Sequence, residues 1–455
     1  MPTLSLPRDR LRRLRRLPLV SPRQWLRRFV FWVGALLVGS VAIGFAALAN
    51  LASGLFVDFQ APRPWVAFIV CPAGLAISFL LTRHVFPGAQ GSGIPQVIAA
   101  QHMTDREAIA RVLSLRVAGG KVVLTLFGLC CGASIGREGP TVQVGAAIMH
   151  ALGRLLRLPR PELERALVLA GGAAGVAAAF NTPLAGVVFA IEELSHSFES
   201  RTSGTVITAV IVAGMTTLAL VGNYTYFGHT AAQLDWGRGW AAVGLCGVVG
   251  GLAGGLFSTA LIRFAAGLPG RLGQAVHRQP VIFAALCGLA IAAIGVASGG
   301  QTYGTGYEQA RGMVEATTHL PASYVVLKFG ATVISYISGI PGGLFAPSLS
   351  VGAGLGGWLA GWLPAAPPGA VVLLGMVAYF SGVVQAPITA TIIVMEMTDN
   401  QNLTVPLLAA SFLAFGVSRL VCRRPIYGAL ARRFLAAQHR MSALRHAGDT
   451  ANSTH

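Results

Sequence analysis

The sequence predicts an all-α polytopic membrane protein. Three observations carry that reading: few charged residues, long stretches with none, and an internal repeat built around glycine- and proline-containing breaks. Of 455 residues, 54% are hydrophobic and only 11% charged, against about 25% charged in a soluble domain. The mean hydropathy of +0.65 excludes a soluble globule of this length. Residues Phe29 to Val57, Gly204 to Leu234, Gln279 to Tyr307 and Phe329 to Met395 contain no Asp, Glu, Lys or Arg. A spanning helix needs roughly 20 apolar residues. The longest of these stretches therefore has to tilt, break or re-enter the bilayer.

The net charge of +18 does not point to nucleic acid, because the basic residues gather at the chain ends. Arg8, Arg10, Arg12, Arg13, Arg15, Arg16, Arg23, Arg27 and Arg28 precede the first apolar stretch; Arg423, Arg424, Arg432, Arg433, Arg440 and Arg445 follow the last. Basic flanks are the positive-inside signal, so both termini read as cytoplasmic and the crossings as even in number. The first apolar stretch is too long for a secretory signal, and many more follow. The six cysteines (Cys71, Cys130, Cys131, Cys246, Cys287, Cys422) form no CxxC, and the histidines form no HExxH. The expectation is packing cysteines and no metal site.

The repeat divides the chain. Gly136 to Ala146 aligns with Gly343 to Ala353 at an offset of 343 − 136 = 207, and Pro183 to Glu193 aligns with Pro387 to Met397 at 387 − 183 = 204. Two matches in the same order predict related halves. The expected organisation is a basic segment 1–28, a first half 29–235, a second half 236–421, and 422–455 carrying a final helix and a basic tail. Each half contains a break followed by an apolar helix: Gly136 to Pro140, and Gly342 to Pro347. A third break, Gly88 to Pro95, has the same chemistry. Proline is tolerated in a first helical turn, and glycine admits close backbone approach. In lipid, such breaks survive only where protein or a water-filled cavity covers them. Free N–H groups and the positive dipole end at a helix start form an anion site.

Ionisable residues at membrane depth are functional candidates, and the repeat sorts them. Glu192 matches Glu396, which predicts a shared architectural role. Glu138 matches Phe345 and Glu193 matches Met397, so these two carboxylates break the symmetry and are the functional candidates. A carboxylate at position 138, at a predicted helix N-terminus, can itself occupy an anion site and leave it on protonation or when an anion competes. Glu193 ends an apolar helix beside Ser195-His196-Ser197, which places it near an aqueous boundary where it could pass protons inward. Lys121 interrupts an apolar stretch and could hold a positive potential along the anion path.

Gly91-Ser92-Gly93-Ile94-Pro95, Gly136-Arg137-Glu138-Gly139-Pro140 and Gly343-Leu344-Phe345-Ala346-Pro347 resemble the three signature motifs of the CLC chloride channel and transporter family. The resemblance continues through Phe180 to Gly186, Ile191 to Glu193, Met395 to Asn400 and Pro425-Ile426-Tyr427, covering roughly residues 30 to 440. It implies an inverted repeat of tilted and broken helices, forming a homodimer with one anion pathway per subunit. By similarity, Ser92 and Tyr427 supply hydroxyls to a central anion, and Leu344 and Phe345 supply backbone N–H groups. Glu138 resembles the external gating glutamate and Glu193 the internal proton-transfer glutamate. Hydroxyls and amides suit an ion that must leave again, since they bind without a full positive charge. A serine at position 92 goes with chloride preference, where proline would indicate nitrate, and the intact first motif argues against the fluoride-exporting branch. The acid at Glu193 favours an exchanger over a channel. The chain ends soon after Tyr427 without paired CBS domains, resembling the compact bacterial type. Leu344, Thr182, Gln96 and Ser195-His196-Ser197 depart from the usual pattern.

The reading is a chloride/proton antiporter in a bacterial inner membrane, multi-pass, with no cofactor, chloride and protons being cargo. A passive chloride channel on the same fold is the alternative. An intramembrane enzyme would need a nucleophile–base or metal constellation that the sequence lacks. A cation-coupled anion transporter would require sodium for flux.

Overall fold

The computed structural model describes residues 22–103, 105–155, 161–195, 200–222 and 225–436. The basic residues before Pro22, the His196-Ser197 part of the polar run and the tail after 436 lie outside them. In chain order the helices are α1 (Pro22–Gln60), α2 (Ala67–His84), α3 (Ile94–His102), α4 (Arg106–Val112), α5 (Leu115–Cys130), α6 (Glu138–Leu155), α7 (Pro161–Phe180), α8 (Pro183–Phe189) and α9 (Ser200–Val221). The second series is α10 (Ala241–Ala266), α11 (Gly270–Arg278), α12 (Pro280–Ala297), α13 (Tyr307–Val314), α14 (Ser323–Ile337), α15 (Phe345–Ala360), α16 (Pro368–Val384), α17 (Pro387–Thr398) and α18 (Thr404–Val421). A last helix, α19, spans residues 426–436. Among the described residues there is no strand, only two isolated backbone bridges.

Seven of these segments are long and apolar enough to cross a bilayer, and four more are apolar but shorter. The stretch Phe329 to Met395, free of charge in the sequence, is divided among α14, α15, α16 and α17, as a run longer than one crossing requires. The first helix begins at Pro22, upstream of the expected start at Phe29. Proline suits a first turn, and the residues after it include no further helix breaker.

Packing repeats between the two series. α6 lies on α7 as α15 lies on α16; α9 packs on α1 and α7 as α18 packs on α10 and α16. The backbones cross at glycine. A Cβ on Gly145 would collide with the carbonyl of Gly171, and one on Gly375 would press on the carbonyl of Gly352. Lipid offers no hydrophobic drive between helices, so close backbone packing at small residues does that work. The two junctions that redirect the chain also match. Asn181 (φ 56°) ends α7 and Gln385 (φ 60°) ends α16, each two residues before a proline that opens the next helix.

Because Pro183 and Pro387 occupy the first helical position, the unsatisfied N–H groups of α8 and α17 begin one residue later. Each helix receives its cap from the other series. The Glu396 carboxylate accepts from Leu184 N (3.1 Å) and Ala185 N (2.7 Å). The Glu192 carboxylate accepts from Ile388 N (3.2 Å) and Thr389 N (2.6 Å). The architectural role expected of this pair is the one the structure gives them.

All six cysteines are unbridged, and all but Cys130 are buried, in keeping with packing roles.

Candidate functional site

The three breaks converge, joined through their backbones. Gly136 N donates to Gly343 O (2.8 Å) and Gly343 N to Gly136 O (2.6 Å). This antiparallel bridge links two residues that match in the repeat. Gly91 N donates to Ile340 O (3.2 Å), and Gly342 N returns to Gly91 O (3.0 Å). Gly93, Ile94, Pro95, Arg137, Gly139, Pro140, Ala346 and Pro347 are all buried around this junction. The helices α3, α6 and α15 therefore all start beside it.

Two hydroxyls, Ser92 Oγ and Tyr427 OH, both on fully buried residues, face one another there and meet no other hydrogen-bond partner. Burying hydroxyls with no partner beyond each other is costly, so the pair forms a site with unmet donor capacity. The fit is close. A Cβ on Gly139 would collide with Ser92 Oγ, so only glycine lets α6 start this near to it. Tyr427, on α19, packs against Phe345 with ring centroids 6.0 Å apart. It lies within electrostatic reach of Glu193, Tyr336 and Glu138, and its hydroxyl faces that of Ser92. Leu344 and Phe345 are buried where α15 begins, so the first N–H groups of that helix lack an intrahelical acceptor. A cavity of about 300 Å³, lined by Gln90, Ser92, Gln96, Tyr336 and Arg433 among others, opens to Ser92 from one side.

Glu138 is fully buried at the first residue of α6. Its Oε2 accepts from Ala346 N at the start of α15 (3.4 Å), and its Oε1 accepts from the Tyr226 hydroxyl (3.1 Å). Its carboxylate thus sits where an anion at the α15 N-terminus would sit. Arg137 Nε is 3.9 Å from Oε1. The guanidinium is otherwise committed to Ala46 O, to Asn50 Oδ1 (2.9 Å) and to the Tyr226 hydroxyl (3.4 Å).

Lys121 neither pairs with Glu138 nor reaches an interface. Fully buried, it donates to Ala89 O (2.7 Å), Gln90 O (3.3 Å) and Gly91 O (2.6 Å). It clamps the loop that presents Ser92. Gln96 supports the same loop through Nε2 to Gln90 O (2.6 Å). Lys328 does the corresponding work in the second series, donating to Thr302 O (2.9 Å) and Gly304 O (2.8 Å). Sequence reasoning missed Lys328, although 328 − 121 = 207 is the offset of the glycine breaks.

Glu193 is 2% exposed, with Oε1 unpartnered. It belongs to a π-helical turn, Ala190–Ser195. Such a turn widens the helix and re-aims side chains. Glu192 and its neighbour diverge, as adjacent residues on a helix do, one capping α17 and the other buried within electrostatic reach of Tyr427. Tyr226 was also missed. It lies in an irregular stretch after α9 that carries no motif. Among the described residues no group of three or more His, Cys, Asp or Glu could hold a metal ion.

The family model described as "Voltage gated chloride channel" matches residues 73–419. A slow cyanobacterial Cl⁻/H⁺ antiporter superposes with a TM-score of 0.77 at 25% identity, covering 91% of this chain and 99% of its own. A CLC-type fluoride/proton antiporter gives 0.77 at 22% identity, covering 90% and 99%. A eukaryotic CLC transporter gives 0.69 at 20%, covering 89% and 74%. These likenesses extend over nearly the whole bundle of broken helices, and ions are cargo for such proteins rather than cofactors of a reaction. The junction of three breaks, the opposed helix series and the family match agree: this chain belongs to the CLC family of voltage gated chloride channels and transporters.

Proposed function

We propose that the protein is a chloride/proton antiporter. The observation that carries this is the Glu138 carboxylate, seated at the N-terminus of α15 near the buried hydroxyls of Ser92 and Tyr427. The carboxylate takes the Ala346 N–H, next to the N–H groups assigned to the anion, so carboxylate and chloride compete for one helix N-terminus. Protonation removes the charge that holds the carboxylate there, so proton uptake and anion entry become coupled at one residue. Ser92, Tyr427 and the N–H groups of Leu344 and Phe345 coordinate the anion. Glu193, buried, relays the proton between Glu138 and the cytoplasm.

In this reading the halves 29–235 and 236–421 form an inverted pair, and two subunits associate with one pathway each. The protein sits in the inner membrane with both termini cytoplasmic, following the basic ends. The similarity to a solved Cl⁻/H⁺ antiporter supports exchange, and an acid at position 193 supports it over a passive chloride channel. The test is proton movement in proteoliposomes under an imposed chloride gradient, with voltage clamped by potassium and valinomycin. Uphill proton flux opposite to chloride is expected. Rapid chloride flux with no coupled protons would assign the protein to the channel class instead.

A further inference from the structure

The hydroxyl of Tyr226 is the second hold on the Glu138 carboxylate, and neither the repeat nor the signature motifs contain it. Four observations define its position. Its OH donates to Glu138 Oε1 at 3.1 Å, opposite the Ala346 N–H that holds Oε2. Its ring is wedged edge-on between Phe180 (5.6 Å), Phe227 (4.9 Å) and Tyr307 (4.9 Å). The Arg137 guanidinium stands over that ring (5.6 Å to the centroid) and also reaches the hydroxyl. Phe227 N donates to Met397 O at the end of α17 (3.0 Å), fixing the backbone beside it. With 1% exposure, Tyr226 is a rigid donor that faces a carboxylate in a dry site.

We propose that Tyr226 is a positioning residue that latches the ionised carboxylate of Glu138 in the anion path and sets the pH at which it leaves. The inference rests on the gating role given to Glu138 above. A hydroxyl donor stabilises a carboxylate and gives less to the neutral acid. The neighbouring guanidinium strengthens the donor by accepting part of the hydroxyl's electron density. While the hydrogen bond holds, the gate remains seated until protonation breaks it. The aromatic wedge supplies the orientation, and the hydroxyl supplies the energy.

Tyr226→Phe separates the two, because it keeps the ring contacts and removes only the donor. Chloride efflux from proteoliposomes would be followed from pH 4 to 8 for the wild-type protein, Tyr226→Phe, Glu138→Gln and the double variant. A hydrogen bond to a charged group contributes about 1.5 kcal/mol, which corresponds to about one pH unit. The efflux midpoint of Tyr226→Phe should therefore move up by about one unit. Replacing Tyr226 by 3-fluorotyrosine, a stronger donor, should move it down. In the Glu138→Gln background, Tyr226→Phe should change nothing. An unmoved midpoint in both Tyr226 variants, or an equal effect of Tyr226→Phe in the Glu138→Gln background, would overturn the latch. Glu138→Gln that still exchanges protons would instead overturn the gating role itself, a separately visible result.

Discussion

Glu192 and Glu396 each cap a helix of the opposite series, Glu192 at Ile388 and Thr389 and Glu396 at Leu184 and Ala185. Their separation is 396 − 192 = 204, the spacing of the prolines that open those helices. The two carboxylates thus tie α8 to α17 from both ends. Each cap uses a charged acceptor on two orphan N–H groups, an arrangement worth about 1–2 kcal/mol. Glu192→Ala and Glu396→Ala should each lower the melting temperature in detergent by a few degrees while leaving chloride affinity unchanged. An affinity change of tenfold in either would show that the caps also shape the anion site.

Glu138→Gln should retain chloride flux and abolish proton coupling. A neutral amide has no charge to hold it against the α15 N-terminus and no proton to exchange. Flux should also lose its dependence on pH between 4 and 8. The check is simultaneous chloride and pH recording in proteoliposomes; preserved uphill proton movement would remove Glu138 from the mechanism.

Glu193→Ala should uncouple protons too, but by a different route. Glu193 is buried and is not among the hydrogen-bond partners of Glu138. Chloride flux in this variant should therefore keep the pH dependence that Glu138 imposes. The paired signature, coupling lost and pH dependence retained, separates the two carboxylates in one assay.

Ser92→Ala and Tyr427→Phe should each weaken chloride binding about tenfold, the loss of one hydrogen bond to an ion at about 1.5 kcal/mol. Titration calorimetry with the purified protein reads this directly. Unchanged affinity in both would place the ion elsewhere.

Lys121→Met should cost about 3 kcal/mol, because the carbonyls of Ala89, Gln90 and Gly91 lose their shared donor in a buried site. It should also weaken chloride binding, since that loop carries Ser92. Lys328→Met should destabilise comparably through Thr302 and Gly304 yet leave affinity intact. Thermal unfolding and calorimetry on the same two variants distinguish these outcomes.

The sequence by itself determined that the chain lies in a membrane, where its helices break, and which carboxylates depart from the repeat. Those properties are local. Apolar length, the missing N–H of Pro140 and Pro347, and the absent side chain of Gly139 act on the chain regardless of what surrounds it. That Glu192 and Glu396 share an architectural role was legible from the repeat, but that each caps a helix of the opposite series was not. Only the tertiary structure decided what each buried polar group meets. Lys121 faces a backbone loop rather than the gate, and Glu193 is buried while its neighbour Glu192 caps α17. Tyr226 reaches Glu138 across 226 − 138 = 88 residues of sequence. Periodicity and motif spacing record how a helix is built; they do not record which distant chain segment is folded against it. In a dry interior that partner sets a carboxylate's charge and mobility.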